Sequence, residues 1–211
     1  MPRPRFHKLP PAQQQAILRA AFDEFATHGF HSASLNRIID ATGISKGSMY
    51  YYFDGKEELY VHVARGELGR LFESAGPFPV PAARNPDAFW SALEDYYRRI
   101  MVAFAASPKL AALARDWIVA SASPTLQQAQ KDMEGALVPW FEQALVVGRR
   151  ARAVRKDVPA TLLIAVVFGM GQAMDTWLLT QELDPAKVRK LVRIFIGMIR
   201  RALAPEVARG A

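Results

Sequence analysis

The sequence predicts an all-α protein of nine helices, an N-terminal three-helix helix-turn-helix domain over residues 1–60 followed by a helical bundle over 61–211. Three observations lead there. No stretch alternates apolar and polar residues with the period of two that a half-buried strand needs. A capping residue followed by proline marks a helix start at Asn85-Pro86, Ser107-Pro108, Ser123-Pro124 and Asp184-Pro185, because a proline at the first helical position gives up an amide that has no partner there anyway. And 211 residues that are 51% hydrophobic and 22% charged can bury a sizeable core.

The first helix is expected from about Pro11 to His28, burying Ile17, Ala21, Phe22 and Phe25, with Gly29 as its stop and Phe30 packing back over the end. The second is about two turns long. Ser34 offers a hydroxyl cap, Leu35, Ile38 and Ile39 recur at helical spacing, and Gly43 ends it. Ser45 then caps a third helix, Lys46 to Tyr52, whose exposed side carries Lys46, Gly47, Ser48 and tyrosine hydroxyls. Gly47 in so short a helix costs about 1 kcal/mol against alanine, a cost that close approach to another surface would explain. Tyr50, Tyr51 and Tyr52 cannot all face one core, since neighbours on a helix lie about 100° apart. This pairing of a short helix, a glycine turn and a helix unsuited to core packing reads as a DNA-contacting helix-turn-helix. The fourth helix starts at Asp54, with Glu57 closing a capping box, and runs through Leu59, Val61, Val63 and Leu68 towards Phe72.

Gly43-Ile44-Ser45-Lys46-Gly47-Ser48-Met49-Tyr50, with Tyr52-Phe53 and Lys56-Glu57-x-Leu59 after it, resembles the signature of the tetracycline-repressor (TetR) family of bacterial transcriptional regulators. The resemblance covers about residues 10 to 60. It implies a homodimeric repressor whose third helix enters the major groove of a palindromic, double-stranded operator and which a small-molecule effector releases. Lys46 and Ser48 are the candidate base readers, and Tyr50, Tyr52 and Lys56 the candidate phosphate contacts. Ser34, Arg37, Ser45, Gly47 and Tyr51 complete the candidate DNA-binding set.

Residues 76–86, GPFPVPAARNP, form the clearest break in the chain, open to reading as a linker or a surface loop. Beyond it lie Phe89, Trp90, Tyr96, Tyr97, Phe104, Trp117, Trp140, Phe141, Phe168 and Trp177, most of them explained by a bundle core. In the resembled family this half senses a ligand. Trp117, Phe141, Phe168, Gln172, Asp175 and Trp177 are accordingly candidates to hold a largely apolar effector, and Pro139 is expected to kink the seventh helix. The last two helices, about 158–180 and 185–203, are too apolar for a lone surface pair. Leu163, Val167, Met170, Met174, Leu191, Phe195, Met198 and Ile199 are the candidate dimer contacts, with Gly169, Gly171 and Ala173 permitting close helix approach. An intramolecular core would use the same residues.

The net charge of +7 favours acidic partners, nucleic acid or an anionic membrane surface alike, so it supports the motif without replacing it. Leu162 to Leu179 is long enough to suggest a membrane span. Gln172 and Asp175 interrupt it, and a helix buried on several faces, or at a subunit interface, fits better than a bilayer. The run Arg149, Arg150, Arg152, Arg155 and Lys156 reads as a solvated loop. Arg3, Arg5 and Lys8 lie in a proline-stiffened tail, open either to a minor-groove arm or to disorder. Zero cysteines exclude disulfides and thiolate metal sites, and no apolar signal core opens the chain, so a cytoplasmic location is expected. The histidines, His7, His28, His31 and His62, are scattered, and no nucleophile, phosphate loop or metal motif is present, so neither an enzyme nor a bound cofactor is expected. A helical small-molecule binder without DNA contact is the alternative.

Overall fold

In a computed structural model of the chain, residues 4–76, 85–119, 123–181 and 184–205 are described. Among these residues there is no strand. A short 3₁₀ turn, η1 (Phe6–Lys8), precedes nine α-helices: α1 (Pro11–Ser32), α2 (Leu35–Thr42), α3 (Lys46–Tyr52), α4 (Lys56–Ser74), α5 (Pro86–Ala106), α6 (Pro108–Val119), α7 (Pro124–Arg150), α8 (Ala160–Leu178) and α9 (Pro185–Leu203). The proline starts are capped as expected. Asn85 Oδ1 accepts from the amide of Ala88, Ser107 Oγ from Leu110, Ser123 Oγ from Leu126, and Asp184 Oδ1 from Ala186 and Lys187.

The helices gather into two compact units that do not follow chain order. One comprises Met1–Leu71 with Ser107–Met133, the other Phe72–Ala106 with Glu134–Ala211, so α4 and α7 each contribute to both. In the first unit α1 packs on α2 and α6, and α2 on α3, around Ile17, Ala21, Phe25, Ile38, Met49, Phe53, Leu59, Tyr60 and Leu113, all essentially inaccessible to solvent. In the second, α9 packs on α5 and α8, burying Phe89, Trp90, Met101, Leu178, Val188, Val192 and Ile196. Pro139 lies inside a continuous α7.

Several local expectations are corrected by neighbours that are distant in sequence. At Gly29 the backbone leaves the helical region, with φ 68°, and Phe30 is buried as expected, although one further turn carries α1 on to Ser32. The Ser34 hydroxyl does not cap α2; the Ser34 amide instead donates to Glu24 Oε1 at 2.7 Å, because α1 brings a carboxylate to that point. The start of α4 is Lys56 rather than Asp54, since Gly55 takes φ 91°, and it is Glu58, not Glu57, whose carboxylate accepts from the Asp54 amide. The basic run 149–156 is a folded turn more than a solvated loop. Ala151, Ala153 and Val154 are buried, and Arg149 donates to the carbonyls of Arg155 and Val158. Gly148 permits this turn, for a β-carbon there would lie 2.5 Å from Val154 Cγ2 and 2.9 Å from Phe89 Cζ.

Helix α8 is not buried on several faces within one chain. It is long and apolar enough to cross a membrane by length and composition, yet only 17% of it is buried. Its covered residues are Leu163, Met174 and Leu178.

Candidate nucleic-acid interface

Helix α3 is held from its ends and from behind. Ser45 Oγ accepts from the amide of Ser48 at 3.0 Å, a cap worth about 1 kcal/mol, and lies 2.8 Å from the Ser48 hydroxyl. Gly43 ends α2 in the left-handed region, with φ 67°. Met49 and Phe53 are each 1% exposed and fix the inner face. At about 100° per residue, Lys46, Tyr50, Gly47 and Tyr51 then share an arc of about 140° that begins about 60° from Met49 at Lys46 and reaches the side opposite it at Gly47 and Tyr51. That strip is open: Lys46 and Gly47 are exposed, as are Tyr50 and Tyr51, at 46% and 45%. A β-carbon on Gly47 would meet nothing nearer than Ser45 Oγ at 3.8 Å. Crowding within the chain therefore does not require the glycine.

The other candidate DNA residues are placed differently. Ser48 lies to the side of the strip with its hydroxyl paired to Ser45, and Tyr52 is partly covered, edge-on to Phe6. Lys56 donates to the carbonyls of His31 at 3.0 Å and Ala33 at 3.1 Å, with its ammonium 4.8 Å from the centroid of Phe30. It satisfies carbonyls at the end of α1. Arg37 grips the Glu24 carboxylate through Nε and Nη2 at 2.6–3.0 Å and also donates to the carbonyl of Ser32. Burial works to raise the Glu24 carboxyl, but hydrogen bonds from Arg37 and the Ser34 amide outweigh it and hold the group below the usual carboxylate range. Glu24 thus ties α1 to the start of α2.

Asp116 on α6 does the same between three elements. Its Oδ2 accepts from the Phe30 amide at 2.9 Å and from the Tyr60 hydroxyl at 2.7 Å, while the Trp117 ring lies 5.8 Å from that of Tyr60. Gly29 leaves the space, since a β-carbon there would stand 2.9 Å from Asp116 Oδ1. Tyr60 is fully buried, and burial first, then the Asp116 hydrogen bond, push its phenol well above the ordinary range. Neither Glu24 nor Asp116 was recognisable as a brace from sequence, because their partners lie 10 or more residues away and no local pattern announces them. Phe6 is a third unread anchor. It is 1% exposed, with its ring 4.8 Å from that of Phe53, and its only sequence signal is an aromatic isolated in a basic tail. Arg3 lies outside the described residues.

The candidate effector residues are divided between the two units. Trp117 belongs to the first unit, beside Tyr60. In the second unit Phe141 and Phe168 meet at 5.9 Å, and Asp175 accepts a hydrogen bond from the Tyr97 hydroxyl. Burial pushes the Asp175 carboxyl up to about 6 against the opposing pull of that bond, and the Tyr97 phenol rises through burial and the neighbouring charge. Gln172 and Trp177 lie elsewhere, in an open depression on α8 that Gly169, Ala173, Thr176 and Thr180 also line. Of the candidate dimer residues, Leu163, Met174, Phe195 and Ile199 are buried within the chain, Val167, Met170 and Leu191 are partly covered, and Met198 is 41% exposed. On the same two helices the other exposed large apolar residues are Leu162, Val166 and Trp177 of α8 and Ile194 of α9.

Residues 17–63 match the family model described as bacterial regulatory proteins, tetR family. The chain is similar to the HTH-type transcriptional regulator RutR of Escherichia coli K12, 38% identical over 87 residues, which are 41% of this chain and 39% of that protein. It is also similar to the HTH-type transcriptional repressor AcnR of Corynebacterium glutamicum, 38% identical over 64 residues, 30% of this chain and 34% of that protein. The matches thus span under two fifths of the length of these curated relatives. Among solved structures, FadR of Bacillus subtilis in complex with stearoyl-CoA aligns with TM-score 0.70 at 17% identity, covering 88% of this chain and 96% of that one. A TetR family transcriptional regulator from Chloroflexus aurantiacus aligns with TM-score 0.61 at 21% identity, covering 96% and 98%. These likenesses extend the fold over 88% and 96% of the chain.

Proposed function

We propose, from the premise that residues 17–63 form a TetR-family DNA-reading domain, that the protein is a ligand-responsive transcriptional repressor. It binds a palindromic double-stranded operator as a homodimer and leaves it when a largely apolar small molecule binds the bundle. Residues 1–60 read DNA; residues 61–211 dimerise and hold the effector. The cytoplasm, where the chromosome is accessible, is its place of work, and no catalytic step is involved.

One observation carries the DNA reading: the open strip of Lys46, Gly47, Tyr50 and Tyr51, on a helix that Met49 and Phe53 anchor to the domain core. Helix α3 enters the major groove with Lys46 at base edges. Tyr50 and Tyr51 reach phosphates, and Ser45 and Gly47 allow the backbone close. Lys56 and Arg37, committed to carbonyls and to Glu24, brace the domain. The uncovered stripe on α8 and α9 supports the dimer. Gly169 and Gly171 have open space where a β-carbon would stand, so intrachain packing does not account for them. A tie such as Asp116 between α6 and Tyr60 of α4 lets a ligand-driven shift change the separation of two readers, which must match half-sites about 34–36 Å apart or a multiple. The bound stearoyl-CoA of the similar FadR supports an apolar effector.

The test is to titrate the protein onto the DNA just upstream of its own coding region. Tight, salt-sensitive binding that Lys46→Ala alters among operator variants is expected. Effector binding without any salt-sensitive DNA binding would establish a helical ligand-binding protein instead.

A further inference from the structure

The segment before α1 is built onto the reader. Phe6 is buried against Phe53, 4.8 Å between ring centroids, and edge-on to Tyr52 and His62 at 6.2 and 5.9 Å. Gln14 Nε2 holds the turn from the α1 side by donating to the carbonyl of Leu9 at 2.8 Å. Between these anchors the backbone of η1 leaves little choice for its neighbour. Arg5 extends over Tyr51, its guanidinium carbon 4.0 Å from the ring centroid. A guanidinium lying over a ring spends its face on the stack and keeps its edge N–H groups for another acceptor. Arg5 is exposed, and among the described residues no carboxylate pairs with it.

Position gives this cation its meaning. Tyr51 forms one margin of the open α3 strip, and Lys46 lies at the other, about 140° away around the helix. Arg5 therefore widens the strip beyond Tyr51 with a positive charge that the helix-turn-helix sequence does not contain. Tyr51 is a phosphate contact in the reading above, so a cation stacked on its ring stands beside the same sugar-phosphate backbone.

We propose that Arg5 is a DNA-backbone contact, positioned by Phe6 and by its stack on Tyr51, so that the reader comprises α3 and the preceding η1 segment together. This rests on the DNA-binding reading above. The contact is with a phosphate flanking the groove that α3 occupies, and it adds affinity uniformly across sequences.

The experiment measures the salt dependence of binding for wild type, Arg5→Ala and Arg5→Lys, on the upstream DNA of the protein's own coding region and on an unrelated duplex of equal length. Arg5→Ala should make the slope of log K against log salt shallower by about 0.9 for each copy bound, on both duplexes. Arg5→Lys, which keeps the charge, should retain the wild-type slope. The melting temperature of Arg5→Ala should be unchanged, because the side chain is exposed. An unchanged slope for Arg5→Ala beside a salt-sensitive wild type would overturn the assignment. So would a loss confined to operators with altered flanking A·T pairs and absent from the unrelated duplex, which would make Arg5 a minor-groove reader. A wild type with no salt-sensitive binding to either duplex would instead remove the DNA-binding reading, and this inference with it.

Discussion

Replacing Asp175 with asparagine isolates the cost of placing a carboxylate inside the α5–α8 packing. The amide oxygen keeps an acceptor for the Tyr97 hydroxyl, and the charge is removed. In the unfolded chain the carboxyl titrates near 3.8, and in the fold burial raises it to about 6. Between those values the folded state holds more protons than the unfolded state, so wild-type stability falls as pH rises through the window. The interval of about 2 pH units, at about 1.4 kcal/mol each, comes to roughly 3 kcal/mol, fully present above about pH 6 and absent below about pH 4. Urea unfolding of both chains from pH 4 to 7.5 reads it directly. Asp175→Asn should match wild type at the acid end and become the more stable chain by an amount that grows to roughly 3 kcal/mol at neutral pH. Two stability curves that run parallel across the window would refute the reasoning, since a desolvated carboxylate must titrate and an amide does not.

Further outcomes follow from the same geometry. Lys56→Ala should leave the salt slope of DNA binding unchanged and lower stability by roughly 1 kcal/mol, the worth of its carbonyl hydrogen bonds; a slope reduced by about 1 would restore it as a phosphate contact. The half-buried His62 is held below its ordinary 6.5 by burial and then by His7. Its contribution is complete above pH 6.5 and is lost as the pH falls below that value, so His62→Phe should flatten the fall in melting temperature between pH 7 and pH 5, and an unchanged profile would remove the histidine from the account. Met198→Glu on the uncovered stripe of α9 should yield a monomer by light scattering while preserving the helical circular dichroism signal, and a chain that stays dimeric would place the interface elsewhere.

Much of the fold was legible because its signals are local. A proline after Asn85, Ser107, Ser123 or Asp184 sets a backbone angle and removes an amide, whatever the rest of the chain does, and each of these starts is capped as read. Gly43 and Ser45 worked for the same reason. Ser34 did not, because its role depended on whether Glu24, on another helix, arrived first. Lys56 and Arg37 meet the same competition. A cation in a DNA-reading motif is equally suited to a phosphate, a carboxylate or a run of carbonyls, and only the carbonyls of His31 and Ala33 and the carboxylate of Glu24, supplied by α1 and its turn, settle which acceptor is nearest.

Capping, periodicity and turn chemistry act over four or five neighbouring residues, and so the helical class, the proline-marked helix starts and the segment 17–63 that matches the TetR family model were legible in the sequence. Tertiary structure alone decided which polar groups remain free for a partner. It drew Asp116 onto Phe30 and Tyr60, set Trp117 beside Tyr60 and Phe141 beside Phe168, left one face of α8 bare, and brought Arg5 to the margin of α3. A hydrogen bond or an ion pair is fixed by distance in space, and distance in space between remote residues is written only in how the helices pack.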